Sequence, residues 1–206
     1  MTAQILLASG NAKKLAELRR VVEAAGITGL EVLGLGDVAP YPEPVEDGAT
    51  FEENALIKAR KAVEMTGLPS LADDSGLAVD ALNGMPGVLS ARWSGGKGDA
   101  ANNELLLAQL GDVPDGRRGA AFVSVCALAL PRGEETVVRG EWRGTILRDP
   151  RGVNGFGYDP LFIPDDEMAA GRSSAELPAE QKDALSHRGK ALAQLVPALR
   201  KLADRG

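Results

Sequence analysis

The stretch ILLASGNAKKLAELRRVVEAAG, residues 5–26, gives the first indication of the fold class. Its apolar run Ile5 to Ala8 is typical of a short buried strand, and the polar SGN that follows predicts a tight turn. Beyond the turn, apolar residues recur at helical spacing until Gly26, where a helix would end. A strand, a tight turn and a helix in this order predict the start of a β-α-β unit.

The middle of the chain continues with alternating strands and helices. A second strand is predicted at Glu31 to Leu35, and the loop GDVAPYPEPVEDGA after it is too rich in proline and glycine for regular structure. Thr50 begins a helix through Thr66, with Glu53 at capping-box spacing. The segment SLADDSGLAVDAL predicts two strand pieces with a turn at Asp73 to Gly76.

The second half of the chain predicts a helix, a hairpin and a terminal helix. Asp99 is expected to cap a helix, after which AAFVSVCALAL and TVVRGEWRGTIL read as an antiparallel hairpin. The last helix runs from about His187 to Ala203. We therefore expect one α/β domain over residues 1–206, with a mixed sheet, flanking helices and two lobes whose central cleft would hold a ligand.

Composition narrows the classes of function. The chain has 23 Lys and Arg against 29 Asp and Glu, a net charge of −6, which argues against binding duplex nucleic acid but leaves a small anionic ligand open. Cys126, the single cysteine, lies in an apolar run and predicts a buried thiol in a reducing cytoplasm. No apolar run reaches the roughly 18 residues of a membrane span, so we expect a cytoplasmic protein with no membrane partner.

Two polar segments could bind a phosphorylated ligand with a metal ion. SGNAKK, residues 9–14, places a hydroxyl, an amide and two lysines at a helix N-terminus, where free N–H groups favour anions. A plain turn with solvated lysines is the alternative. In ADDSG, Asp73 and Asp74 follow a strand and offer oxygen ligands suited to Mg²⁺, with Glu46 and Asp47 as further partners. An Asx turn would explain the same pentapeptide.

Two later segments could contact a nucleobase. NGFGYDP, residues 154–160, combines glycines with Phe156 and Tyr158, on which a base could stack, although both rings could equally belong to the core. SHRG, residues 186–189, sets the only histidine beside an arginine at a helix start and offers several hydrogen-bond donors. A helix cap with exposed charges is the ordinary alternative.

Six segments, in order, resemble the inosine triphosphate pyrophosphatase (non-canonical purine NTP pyrophosphatase) family over essentially the whole chain. They are SGNAKKLAEL, VEDGATFEENALIKA, ADDSGLAVDAL, GMPGVLSARWSG, GFGYDP and SHRGKAL. The resemblance implies an elongated α/β fold with two lobes around a cleft, and usually a homodimer. It also implies a hydrolase that converts ITP, dITP and XTP to monophosphate and pyrophosphate, which clears them from the pool for nucleic-acid synthesis.

The resemblance also implies a role for individual residues. Asp74 would accept a proton and, with Glu46, hold Mg²⁺, while Lys14 would be the main triphosphate contact and Lys182 a second cation. Glu53 and Asp73 match the motifs without an assigned role. The implied substrate-binding residues are Ser9, Gly10, Asn11, Ala12, Lys13, Lys14, Ser75, Phe156, Gly157, Tyr158, Asp159, Lys182, His187 and Arg188.

The sequence also predicts the effect of removing two lysines and leaves two competing functions open. If Lys14 and Lys182 are functional surface charges, their removal should change stability by only about 0.5 kcal/mol. A pyrophosphatase of related fold that acts on modified pyrimidine or methylated nucleotides is the competing enzyme. A nucleotide-sensing module without hydrolysis is the competing binding protein, but it gains nothing from carboxylates at Glu46 and Asp74 unless a metal is bound.

Overall fold

The computed structural model describes residues 2–205, apart from the side chains of Asp183 and Ala184. Strands and helices alternate along most of the chain. In chain order they are β1 Ala3–Leu7, α1 Ala12–Ala24, β2 Leu30–Leu33, α2 Phe51–Thr66, β3 Ser70–Val79, α3 Asp99–Gln109, β4 Gly119–Ala129, β5 Glu135–Ile146, β6 Phe162–Pro164, α4 Ala179–Leu185 and α5 His187–Ala203.

The strands of the described residues form a six-stranded sheet in the order β2-β1-β3-β4-β5-β6. β1 pairs in parallel with both β2 and β3, whereas β5 pairs antiparallel with β6. At the turn between β4 and β5, the Leu130 N–H donates to the Glu134 carbonyl at 2.9 Å. The mixed sheet and the hairpin are thus confirmed.

Two compact units divide the chain, and each has its own apolar core. One unit comprises residues 2–74, Ser124–Gly140 and residues 190–205; the other comprises Ser75–Val123 and Glu141–Gly189. The first core packs β1 and β3 residues against α1 and α5, and Cys126 is buried within it. The second core surrounds Trp142 and Phe162, whose ring centroids lie 5.7 Å apart. The single domain over 1–206 stays a prediction.

Helix ends follow local side-chain chemistry. Thr50 caps α2, since its hydroxyl accepts from the Glu53 N–H at 3.1 Å, and α2 ends before Gly67 as expected. The predicted cap by Asp99 is wrong: α3 starts at Asp99 after Gly98, without a side-chain cap. The Asp99 carboxylate instead accepts from the Gly157 N–H at 2.7 Å.

Three other predictions on secondary structure need correction. The expected turn at Asp73 to Gly76 is wrong, because β3 runs without interruption from Ser70 to Val79 and is hydrogen-bonded to its neighbour β4 in the sheet. β2 ends at Leu33, earlier than predicted, and α4 was not predicted at all. No helix of the described residues is long and apolar enough to cross a membrane.

Candidate active site

The turn between β1 and α1 is held by its own side chains. Asn11 is the N-cap of α1, and its amide oxygen accepts from the backbone N–H of Lys13 at 2.9 Å and of Lys14 at 3.4 Å. The Ser9 hydroxyl accepts from the Asn11 N–H at 3.3 Å. The asparagine therefore satisfies two of the N–H groups that a helix start leaves open, and it fixes the position of Lys14.

Asp73 and Asp74 are neighbours in β3, and each pairs with a lysine from a different helix. Asp73 Oδ2 lies 2.7 Å from Lys14 Nζ on α1, and Asp74 Oδ1 lies 3.0 Å from Lys58 Nζ on α2. Successive side chains of a strand point to opposite faces, which explains the different partners. The Asx-turn alternative is excluded, since both aspartates lie within a continuous strand.

Lys58 connects the strand to the acidic loop before α2. Its ammonium lies 3.2 Å from Glu46 Oε2 as well as 3.0 Å from Asp74 Oδ1. The Lys58 side chain is only 17% exposed, and that of Asp74 only 14%. Two carboxylates from separate segments thus share one cation.

Asn54 fixes this loop to the strand. It is 1% exposed, its amide oxygen accepts from the Gly48 N–H at 2.9 Å, and its side chain also hydrogen-bonds Asp74. A Cβ at Gly48 would lie 2.7 Å from the Asn54 oxygen, so the close approach requires glycine. Glu53 accepts from the Ala49 N–H at 2.6 Å, which assigns it to the same loop end.

The environment of Asp74 changes its basicity. Burial raises the pKa of Asp74, while the Lys58 ammonium lowers it and Glu46 raises it; the net pKa is raised. Burial alone would lower the pKa of Lys58, but Asp74 and Glu46 outweigh it, and the net pKa is raised. Lys58 is therefore protonated at neutral pH, and Asp74 is a stronger base than an exposed aspartate.

A cavity of about 350 Å³ adjoins these groups within the first unit, a size typical of small-molecule sites. Of the two aspartates, Asp73 lines the cavity. Asp74 is not among the lining residues but pairs with Lys58, which is. Tyr41 and Pro44 from the long loop form part of its wall. Its polar lining comprises Ser9, Gly10, Lys14, Tyr41, Glu43, Glu46, Lys58 and Asp73.

The second unit contains a different arrangement, built on a buried carboxylate. Asp159 is 2% exposed, and its oxygens accept from the Phe156 N–H at 2.8 Å, from the Ser174 hydroxyl at 3.2 Å and from the Lys182 ammonium. Gly155 has a φ of +79°, and a Cβ there would collide with the Asp159 carboxylate. Asp159 therefore fixes the shape of the GFGYDP loop.

The two aromatic residues of this loop have opposite environments. Phe156 is 73% exposed, and Lys182 Nζ lies 4.9 Å from its ring centroid. Tyr158 is 4% exposed and belongs to the second core, where its hydroxyl donates to the Ser90 carbonyl at 2.9 Å and burial raises its pKa. Each alternative from the sequence thus applies to one ring: Phe156 offers an open face, and Tyr158 packs in the core.

The SHRG segment begins α5. The Ser186 hydroxyl accepts from the Gly189 N–H at 3.1 Å, which is the geometry of an N-cap. His187 stacks on Phe122 with ring centroids 5.3 Å apart, and both His187 and Arg188 are half-buried. The cap accounts for the serine, while His187 and Arg188 are half-buried residues whose Nδ1 and Nε atoms are buried.

The sequence model of the Ham1 family matches residues 5–198. The chain belongs to the Ham1 family. A relative from Nocardia farcinica (strain IFM 10152), named dITP/XTP pyrophosphatase, is 67% identical over 204 residues, which cover 98% of each chain. Another protein of that name, from Mycobacterium bovis, is 66% identical over 206 residues, covering 98% of each chain.

Solved structures of Ham1 proteins share this fold. The crystal structure of the nucleoside-triphosphatase / dITP/XTP pyrophosphatase from Mycobacterium abscessus is 64% identical with a TM-score of 0.82, and the match covers 96% of this chain and 100% of that one. A HAM1 protein from Coxiella burnetii is 42% identical with a TM-score of 0.87, covering 97% and 99%.

Of the residues expected from the sequence, Ser9, Gly10, Lys14 and Glu46 line one cavity of this Ham1 chain. The sequence analysis missed Lys58 and Asn54. Both lie in VEDGATFEENALIKA, where their spacing of four residues places them on one helix face. The available signal was an asparagine and a lysine on one face of the helix that follows the acidic loop. Their shared partner Asp74 lies on a distant segment, which spacing alone does not reveal.

Proposed function

We propose that this Ham1 chain hydrolyses non-canonical purine nucleoside triphosphates, namely ITP, dITP and XTP, to the monophosphate and pyrophosphate. One observation carries the proposal: Lys14 and Lys58 line a single cavity, and each pairs with one of two consecutive aspartates of β3. Cations of this kind suit a polyphosphate, and paired carboxylates suit the metal that accompanies it. The names of the full-length relatives support the same substrate class.

Mg²⁺ is the cofactor that the donor set fits. Glu46 and Asp74 already hold one cation between hard oxygens, at 3.2 and 3.0 Å from Lys58 Nζ. Among the described residues, no cluster of three or more His, Cys, Asp or Glu side chains could hold a metal. Two carboxylates suffice for Mg²⁺, which takes its remaining ligands from water and substrate phosphates. Bound there, it would neutralise charge on the phosphate oxygens.

The chain's own residues would then divide the remaining work. Lys14 and the turn Ser9 to Lys13, which includes Gly10, Asn11 and Ala12, would bind the triphosphate, with Ser75 as a further contact. Asp74 would orient a water molecule for attack on the α-phosphorus and accept its proton, and pyrophosphate would leave. In the metal-free protein the pKa of Asp74 is raised, chiefly by burial.

We propose that the GFGYDP loop and the SHRG segment recognise the base. The exposed ring of Phe156 offers a stacking surface, with Gly157, Tyr158 and Asp159 shaping the loop beneath it. Lys182 would supply a second cation, and His187 and Arg188 would donate to the carbonyl at C6 that hypoxanthine and xanthine carry. Adenine has an amino group there, so ATP would offer these donors no acceptor at C6.

We further propose that the chain acts in the cytoplasm as a homodimer. The single cysteine is buried, which suits a reducing compartment, and the dimer follows from the family resemblance. Light scattering coupled to size exclusion would measure a mass of about twice 21.5 kDa if the dimer forms. A mass near 21.5 kDa at micromolar concentration would contradict it.

The test of function is product analysis with a nucleotide panel. ITP, dITP, XTP, GTP, ATP, dUTP and dTTP would be incubated with the protein, with and without Mg²⁺, and pyrophosphate and orthophosphate measured separately. We expect pyrophosphate from ITP, dITP and XTP and only with Mg²⁺. Preferential turnover of dUTP or dTTP would favour the competing pyrimidine enzyme, and orthophosphate as the first product would exclude pyrophosphate release.

A further inference from the structure

Lys58 stands where the carboxylates Glu46 and Asp74 converge. Its ammonium lies within hydrogen-bonding distance of both, at 3.2 and 3.0 Å, although one carboxylate comes from the long loop and the other from β3. Without this cation, two negative charges would face each other in a partly buried position, which is unfavourable. Lys58 therefore holds the pair together when no metal is present.

The cluster is built so that its cation can leave. Asn54, one helical turn before Lys58, is 1% exposed and fixes both Asp74 and the Gly48 N–H, so the carboxylate stays in place independently of the lysine. The Lys58 ammonium, in contrast, sits at the end of four methylene groups and also lines the open cavity. The anchoring residue is rigid, and the charged one is movable.

Charge decides what can replace it. Two carboxylates and one ammonium leave a net charge of −1, which a divalent ion would turn into a balanced or positive site. The ammonium and the ion cannot both contact the same oxygens, because like charges repel and Mg²⁺ requires ligands at about 2.0–2.1 Å. An ion that takes Glu46 Oε2 and Asp74 Oδ1 as ligands therefore has to displace the ammonium from them.

We propose that Lys58 occupies the metal position of the resting protein and that the divalent ion must displace it from Glu46 and Asp74. This inference rests on the proposed function, because it takes those two carboxylates as the metal ligands. The displaced ammonium, which lines the cavity, becomes available to the phosphate oxygens of the substrate. Metal binding and triphosphate binding are thereby coupled through one side chain.

The test measures metal affinity without nucleotide, using Mn²⁺ as a paramagnetic probe in EPR titrations. Lys58→Met keeps the aliphatic stem and removes the charge. We expect Lys58→Met to bind Mn²⁺ about tenfold more tightly than the wild type, because no cation has to be displaced. The matched control is Lys61→Met on the same helix, which removes an exposed pair with Glu64 and should leave the affinity unchanged.

Unchanged, weaker or undetectable Mn²⁺ binding by folded Lys58→Met would overturn the proposal. If Lys58→Met does not fold, thermal unfolding of Lys58→Gln provides the second measurement. We expect Mn²⁺ to raise the Tm of Lys58→Gln more than the Tm of the wild type. An equal or smaller rise would again overturn the proposal.

The same titration separates this inference from the proposed function. If the wild type releases no pyrophosphate from ITP and Lys58→Met binds Mn²⁺ more tightly, the proposed function is contradicted and the displacement is supported. Pyrophosphate release by the wild type with no gain in affinity for Lys58→Met would contradict the displacement alone.

Discussion

Two lysine–aspartate ion pairs of this Ham1 chain differ in how fully the other hydrogen bonds of the aspartate are used within the protein. In the second unit, Asp159 commits its oxygens to a backbone N–H, a hydroxyl and Lys182, and its side chain is 3% exposed. In the first unit, the Asp74 side chain is 14% exposed, and its charged partner Lys58 is shared with Glu46. A carboxylate whose bonds are all internal stabilises a loop, whereas one held by a movable cation can bind a metal or accept a proton.

Asp159→Ala should give the largest effect and test the first half of this comparison. Removing one partner of a buried pair leaves the Lys182 charge uncompensated, which we expect to lower the free energy of unfolding by about 3–5 kcal/mol. Urea denaturation measures this value, and Asp165→Ala, an exposed aspartate in the same unit, is the control with little change. A loss of less than about 1 kcal/mol would mean that Asp159 does not stabilise the loop.

Asp74→Asn tests the second half. The amide is nearly isosteric but can neither accept the proton nor hold the metal as an anion, so we expect kcat to fall by about 100-fold or more. Steady-state pyrophosphate release from ITP measures this, with Asp80→Asn, an exposed residue paired with Arg143, as the control. Near-normal turnover in a folded Asp74→Asn variant would remove Asp74 from catalysis.

The same comparison explains how far sequence reasoning reached. Periodicity and turn residues predicted α1, α2, α5, the hairpin and the mixed sheet, because each depends on neighbours close in the chain. The turn at Asp73 to Gly76 was mispredicted since polar residues and glycine favour turns locally, while the place of β3 in the sheet, beside β4, overrides that preference.

Long-range ion pairs were beyond such reasoning. Lys14 and Lys182 were expected as surface charges whose loss costs little stability. They instead pair with Asp73 and Asp159, whose side chains are 5% and 3% exposed. Each pairing joins residues far apart in the chain, 59 positions for Lys14 and 23 for Lys182, so no local pattern reveals it.

Lys14→Ala should show whether the Lys14–Asp73 pair serves substrate binding, stability or both. We expect the KM for ITP to rise about tenfold from the loss of a phosphate contact, and stability to fall because Asp73, whose side chain is 5% exposed, loses the Lys14 ammonium. The double variant Lys14→Ala with Asp73→Asn should recover stability but not KM. Recovery of both would show that Lys14 serves only to balance Asp73.

Arg188→Ala should give the smallest effect, confined to base selection. We expect the ratio of kcat/KM for ITP over ATP to narrow about fivefold, at the low end for a stranded donor because Arg188 is half-buried. The ratio of ITP over GTP should stay nearly constant, since guanine shares the C6 carbonyl. Two unchanged ratios would move base recognition to another residue.

The central claim, attack of water on the α-phosphorus, is tested most directly by hydrolysis of ITP in ¹⁸O-labelled water with mass analysis of both products. If Asp74 directs water to that atom, one ¹⁸O appears in the inosine monophosphate and none in the pyrophosphate. Label in the pyrophosphate, or labelled orthophosphate as the first product, would place the attack at another phosphorus and contradict the account.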